Sequence, residues 1–194
     1  MADIDEYDAL KNADGTRMQI LNAAMTCLIR HGPKHTNIST VASQAGVSRP
    51  TVYAHFESLD DLVSEAITQG IGILSESIKA HASSYETPGD RVVAAFEYGL
   101  SLADQVDILR RPMSFDIPKM ERDIIPAEAI DTAREVLRRL IGDDLGDGLE
   151  ADEKSETAVR LFLSLAAYRR PEASEGGVEA YVRRVALPAL GIKS

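Results

Sequence analysis

The residues best suited to chemistry lie in one segment near the start of the sequence, between Gly15 and Phe56. This segment contains no aspartate or glutamate, although the whole chain holds 31 of them and has a net charge of −10. Its basic and titratable residues are Arg17, Arg30, Lys34, Arg49, His31, His35 and His55. A cationic surface without carboxylates attracts a polyanion, and a guanidinium can make two parallel hydrogen bonds to the edge of a guanine. The segment therefore indicates a nucleic-acid partner; the alternative is a buried pair of helices that happens to lack acids.

Three short helices are predicted to position these side chains. The first begins near Thr16, because the apolar residues that follow recur at helical spacing, and it ends before the Gly32-Pro33 pair. The second helix follows Asn37, a residue type that caps helix N-termini well, and ends at Gly46. The single cysteine, Cys27, lies on the apolar face of the first helix and is predicted to be an inert core residue.

The turn before the third helix is Ala45-Gly46-Val47-Ser48, with glycine where a positive φ is needed. Ser48 caps the third helix, and Val52 and Phe56 are its apolar pair. Away from that pair the helix presents Arg49, Pro50, Tyr53 and Ala54. This pattern predicts a helix-turn-helix whose second helix fits the major groove of DNA.

The rest of the chain is also predicted to be helical, which makes the fold class all-α with about nine helices. A long helix follows Ser58, another follows Pro88, and three prolines leave only short or broken helix at 110–126. The remaining predicted segments are a helix from Pro126 to about Ile141, an acidic glycine-rich loop at 142–150, and helices at 152–169 and 176–190. The predicted divisions are an acidic mobile tail at 1–14, a helix-turn-helix domain at 15–57 and a larger helical domain at 58–194.

Residues at fixed positions across the first helices form a pattern: Arg17, Ile20-Leu21-Asn22-Ala23-Ala24, Gly32, Thr36-Asn37-Ile38, Val41-Ala42, Ala45-Gly46-Val47-Ser48, Thr51-Val52-Tyr53, His55-Phe56, Ser58 and Leu62. This pattern resembles the N-terminal domain of the tetracycline-repressor (TetR) family. The resemblance implies a homodimeric transcriptional regulator, in its simplest form a repressor that binds a pseudo-palindromic DNA operator and is released by a small hydrophobic or amphipathic effector. It also implies DNA contacts by Asn37, Ser39, Ser48, Arg49, Thr51, Tyr53 and His55.

One position departs from the family pattern. Family members often begin their fourth helix with Ser-Lys, and the lysine contacts a DNA phosphate. Here Ser58 is followed by Leu59, so that contact is missing and a modest DNA affinity is expected.

The resemblance gives the helical domain at 58–194 two expected roles, ligand binding and dimerisation. Candidate pocket residues are Phe96, Tyr98, Leu100, Leu109, Met113, Phe115, Met120, Phe162 and Tyr168. The last two helices are predicted to pair with their copies in a four-helix bundle through Ala158, Leu161, Leu165, Tyr168, Val178, Tyr181, Val182 and Val185. The alternative is a regulator without a small-molecule ligand, whose core serves only dimerisation or a protein partner.

The sequence offers no sign of catalysis, a cofactor or a metal centre. It has no nucleophile elbow, phosphate-binding loop or metal-ligand spacing, which counts against an enzyme carrying an accessory DNA-binding domain. His31 and His35 are four residues apart, but Gly32-Pro33 breaks the helix between them, so no metal site is expected. No signal-like start or membrane-spanning stretch is found, and we expect a cytoplasmic protein without a membrane partner.

Overall fold

The computed structural model of the chain describes residues 15–32, 35–104, 125–168 and 176–193. Within these ranges the structure is all-α and contains no strand, as predicted. Its helices are α1 (Thr16–His31), α2 (Ile38–Ala45), α3 (Arg49–His55), α4 (Leu59–Ala82), α5 (Pro88–Ala103), α6 (Ala127–Ile141), α7 (Gly148–Tyr168) and α8, which consists of Gly177–Tyr181, Val182–Ala186 and Leu187–Ala189. The predicted tail at 1–14 and most of the predicted broken segment at 110–126 lie outside the described residues. None of the described helices is long and apolar enough to cross a membrane.

The first compact unit consists of α1, α2, α3 and the beginning of α4. Its core is a single apolar cluster that includes Ile20, Leu28, Val41, Val52, Phe56, Leu62 and Ala66. Because Leu62 and Ala66 complete this core, the unit extends to Gly70, beyond the limit at residue 57 that the sequence suggested. Cys27 is buried in the same cluster, as predicted, and burial raises the pKa of its thiol.

The second compact unit contains the rest of α4 together with α5, α6, α7 and α8. Its main cluster includes Val92, Phe96, Ile141, Leu145, Ala158, Val182, Leu187 and Leu190. Every helix from α5 to α8 contributes to this cluster, so the four helices share one core.

One local prediction in this unit is wrong and another is confirmed with an added feature. The predicted loop at 142–150 is a 3₁₀ turn over Gly142–Leu145 followed by the first residues of α7, which begins at Gly148. Leu145 is 1% exposed and anchors the turn, while an ion pair of 2.6 Å between Lys154 and Glu150 braces the start of α7. The predicted helix at about 176–190 is confirmed, and it contains a π-helical segment, Val182–Ala186, in which the Leu187 N–H donates to the Val182 carbonyl. This wider turn keeps Val182 and Leu187, both fully buried, on the same face.

Candidate nucleic-acid interface

The start of α2 is fixed by a reciprocal pair of hydrogen bonds. The Oδ1 atom of Asn37 accepts from the N–H groups of Ser39 (3.0 Å) and Thr40 (3.1 Å), and the Asn37 N–H donates to Oγ1 of Thr40 at 3.0 Å. This is a capping box, which satisfies N–H groups that otherwise lack partners at a helix start. Asn37 is thus confirmed as the cap, and both Asn37 and Ser39 are exposed, as a phosphate contact requires.

The turn between α2 and α3 has the backbone that the sequence predicted. Gly46 adopts φ 67° and ψ 28°, the left-handed conformation that glycine accepts without penalty. The Val47 N–H donates to the Ala42 carbonyl at 3.0 Å and so closes the end of α2. The side-chain amide of Gln19 on α1 also donates to the Ala45 carbonyl at 2.8 Å, a brace that sequence reasoning missed.

Helix α3 buries one face and leaves the others open. Ser48 caps it, since Oγ accepts from the Thr51 N–H at 3.2 Å and lies 2.7 Å from Oγ1 of Thr51. Val52 is 0% exposed and Phe56, which follows the last residue of the helix, is 2% exposed. The exposed positions are the predicted DNA-contacting residues Ser48, Arg49, Pro50, Tyr53 and His55, while Thr51 is half-buried. A helix anchored in this way holds the exposed side chains in fixed directions.

Helix α4 also begins with a cap. Oγ of Ser58 accepts from the Asp61 N–H at 3.0 Å, and the Glu57 N–H donates to Oδ2 of Asp61 at 3.2 Å. Leu59 is half-buried and packs against the core of the first unit. Leu59, the residue that departs from the family pattern, therefore contributes apolar packing at this position.

Arg17, in the first turn of α1, makes the ion pair that links α1 to α4. Its guanidinium donates two hydrogen bonds to the carboxylate of Glu65, one of them 2.5 Å long between Nη2 and Oε2, and it lies 4.8 Å from the centre of the Phe56 ring. These hydrogen bonds raise the pKa of the Arg17 guanidinium. The sequence analysis counted Arg17 only as one of the charges of a cationic surface. No local pattern connects it with Glu65, which lies 48 positions further along the chain.

Comparison with known proteins agrees with this geometry. Residues 20–66 match the family model described as bacterial regulatory proteins, tetR family. The helix-turn-helix domain of this chain is therefore a tetR-family DNA-binding domain. A fatty acid metabolism regulator protein of Bacillus subtilis (strain 168) is 33% identical over 73 residues, a match that covers 36% of this chain and 38% of that protein.

Two solved structures show that the similarity of fold extends over nearly the whole chain. One is the TetR family repressor AlkX from Dietzia sp. strain DQ12-45-1b, implicated in biodegradation of n-alkanes: TM-score 0.67, 16% identity, covering 92% of this chain and 97% of AlkX. The other is the transcriptional regulator FadR from Bacillus subtilis in complex with stearoyl-CoA: TM-score 0.57, 16% identity, covering 90% of this chain and 95% of FadR.

In the second unit, some of the predicted pocket residues come together. Phe96 and Leu100 are buried, and the rings of Phe96 and Phe162 meet edge to face with their centres 5.8 Å apart. Gly99 lies between Phe96 and Leu100 on α5, and it packs tightly against Phe162 and Ile78. Of the other predicted pocket residues, Tyr168 is the last residue of α7. The remaining four, Leu109, Met113, Phe115 and Met120, lie outside the described residues.

Tyr98 does not join Phe96 and Phe162. Its ring stacks on that of His81, at the end of α4, with centres 4.3 Å apart and an angle of 16° between the planes. The Tyr98 hydroxyl lies 3.4 Å from Oγ of Ser77. Because residues two apart on a helix point in nearly opposite directions, Tyr98 cannot line a cavity beside Phe96.

The predicted dimer residues differ in how much of their surface is exposed. Ala158 (1% exposed) and Val182 (0%) lie inside the core of their own protomer, so their assignment to an interface is wrong: they have no surface to offer a partner. Val185 is 41% exposed. The others with described side chains are half-buried: Leu161, Leu165, Val178 and Tyr181.

Proposed function

We propose that this TetR-family protein represses transcription as a homodimer that places α3 in successive major grooves of a pseudo-palindromic operator. The proposal rests on which side chains of α3 are exposed. Val52 and Phe56 are buried, while Arg49, Pro50 and Tyr53 are exposed to solvent. Arg49 in the first turn of such a helix can donate bidentate hydrogen bonds to O6 and N7 of a guanine. The starts of α2 and α3 also carry the positive ends of the helix dipoles, which favour a phosphate nearby.

Dimerisation supplies the second α3. The partly exposed apolar side chains of α7 and α8 support an interface there, since an apolar stripe at helical spacing is buried when two helices pair. The stripe that we propose consists of Leu161, Leu165, Val178, Tyr181 and Val185. Two copies of α3 would then contact half-sites about 34–36 Å apart on one face of the DNA.

The proposed effector is a small molecule with a long apolar chain. The name of the Bacillus subtilis relative and the stearoyl-CoA complex of FadR support this class. The aromatic pair Phe96 and Phe162 in the second unit offers the kind of apolar surroundings that such a chain requires. Effector binding there would shift α4, whose first turns belong to the core of the DNA-binding unit.

A second candidate is a regulator that takes no small molecule. It is favoured by the close packing at Gly99, where a Cβ atom would lie only 2.7 Å from the Phe162 ring. In that case the second unit would serve only dimerisation or a protein partner.

A mobility shift with the DNA that flanks the protein's own gene tests the proposal. We expect a complex on that DNA that survives competition by random DNA, and its loss on addition of palmitoyl-CoA or stearoyl-CoA. Survival of the complex with every acyl-CoA, free fatty acid and alkane tested would favour the second candidate. A protein that binds both DNAs equally would contradict the operator assignment.

Two arginine variants refine the same assay. Arg49→Ala should lose about 1–3 kcal/mol on the operator and little on random DNA, because base contacts specify and phosphate contacts do not. Arg30→Ala removes the same charge from an exposed site on α1, outside α3. We expect Arg30→Ala to weaken binding to the two DNAs alike, if it weakens binding at all.

A further inference from the structure

The junction between α3 and α4 lacks the cation that a DNA phosphate would need there. Ser58 caps α4 and Leu59 is half-buried against the core, so the first residue of α4 offers no charge. The next two residues, Asp60 and Asp61, are acidic and exposed. A phosphate passing this junction would meet carboxylates unless a cation came from another element.

Arg17 is a cation that contacts both sides of this junction. Its guanidinium lies over the ring of Phe56, the residue that follows α3, and it interacts electrostatically with Asp61 on α4. The side chain is 50% exposed, so it is open to solvent although it belongs to α1. An arginine in this place can replace the contact that Leu59 does not provide.

Glu65 occupies one hydrogen-bonding edge of that guanidinium, the edge formed by Nη1 and Nη2. Both atoms donate to its carboxylate, the bidentate geometry that arginine also uses with a phosphate. A phosphate cannot use this edge while Glu65 holds it, and the Glu65 carboxylate also offsets the charge that would attract the phosphate. One of the four basic residues of the acid-free segment is thus neutralised by α4.

We propose that Arg17 is a phosphate-binding residue of the DNA-binding unit and that Glu65 withholds it from DNA. The inference rests on the proposed function, because it requires that DNA pass the junction of α3 and α4. Glu65 lies between Leu62 and Ala66, the residues by which α4 joins the core of the DNA-binding unit, so the pair with Arg17 forms within this one unit.

Glu65→Gln tests the proposal, with Asp60→Asn as the matched control. Both remove one negative charge from α4, but only Glu65→Gln frees Arg17. We expect Glu65→Gln to steepen the log–log dependence of DNA affinity on salt by about 0.9 per subunit, or about 1.8 per dimer. Asp60→Asn should leave that slope unchanged. Operator and random DNA should gain together, because a phosphate contact carries no sequence information.

A double variant separates Arg17 from a general change of charge. Adding Arg17→Ala to Glu65→Gln should return the slope to that of the parent. A gain that persists without Arg17, or an equal slope for Glu65→Gln and Asp60→Asn, would overturn the proposal. Since the pair is half-exposed we expect folded variants, and Glu65→Ala serves as a second test if circular dichroism shows that Glu65→Gln does not fold. A parent protein that binds no DNA would instead refute the proposed function.

Discussion

Gly99→Ala tests the packing of the second unit where α4, α5 and α7 lie close together. A Cβ atom on Gly99 would lie 2.7 Å from Cε2 of Phe162 and 2.9 Å from Cδ1 of Ile78. Carbon atoms pack best at about 3.5–4.0 Å, so both side chains would have to retreat by about 1 Å. Overpacking of this kind costs about 1–3 kcal/mol, while alanine gains about 1 kcal/mol over glycine in helix propensity. The expected net change is a loss of about 0–2 kcal/mol in the free energy of unfolding.

Gly72→Ala on α4 is the matched control. The nearest atom to its added Cβ would be Cγ2 of Thr132 at 3.5 Å, an ordinary contact. It should therefore gain about 1 kcal/mol from helix propensity alone. The difference between the two variants isolates the steric cost, which we expect to be about 1–3 kcal/mol.

Urea unfolding followed by circular dichroism, at one fixed protein concentration, measures both variants. Phe162→Leu removes the ring edge and should recover part of the loss in the Gly99→Ala background. The reasoning is refuted if Gly99→Ala is as stable as Gly72→Ala, because α4, α5 and α7 would then not meet as closely at Gly99 as the structure places them.

Four further variants or measurements follow from individual contacts. Val185→Arg should give folded monomers in sedimentation analysis, because this side chain is 41% exposed in the protomer; an intact dimer would place the interface elsewhere. Leu59→Lys should steepen the salt dependence of DNA binding by up to about 0.9 per subunit, and an unchanged slope would mean that position 59 does not face the backbone. The Cys27 thiol should react with Ellman's reagent only after unfolding, since it is 3% exposed and its pKa is raised; rapid labelling of the native protein would contradict this. Hydrogen bonds from Arg183 and Thr87 lower the pKa of Asp90, so its stabilising contribution is present at neutral pH and is lost as pH falls below about 4. The Tm difference between the parent and Asp90→Asn should narrow over that range, and a constant difference would show that the ion pair does not contribute.

The sequence predicted those parts of the DNA-binding unit that depend on neighbouring residues. Asn37 and Ser48 cap helices through atoms two or three residues away, and Gly46 is required by the backbone of a single turn. Local chemistry of this kind is visible in the order of residues. The contact between Arg17 and Glu65 is not, because folding brings together residues 48 positions apart.

The second unit was less predictable for a similar reason. The glycines at 142–148 suggested a loop, but burial of Leu145 and the ion pair of Lys154 extend the helix to Gly148. Helical spacing placed Ala158 on one apolar stripe and Val182 on another, yet it cannot distinguish a stripe that faces the core of the same protomer from one that faces a partner. The π-helical turn at Val182–Ala186 shifts the register of the second stripe, and no residue type in the sequence indicates such a turn.

Methylation protection of guanine N7 on the operator tests most directly whether α3 enters the major groove. We predict one protected guanine in each half-site, with the two about 34–36 Å apart on one face of the DNA. Arg49→Ala should expose these two guanines to methylation while the rest of the footprint remains at saturating protein. Protection that is absent, or that persists unchanged in Arg49→Ala, would contradict the placement of α3 and the function proposed from it.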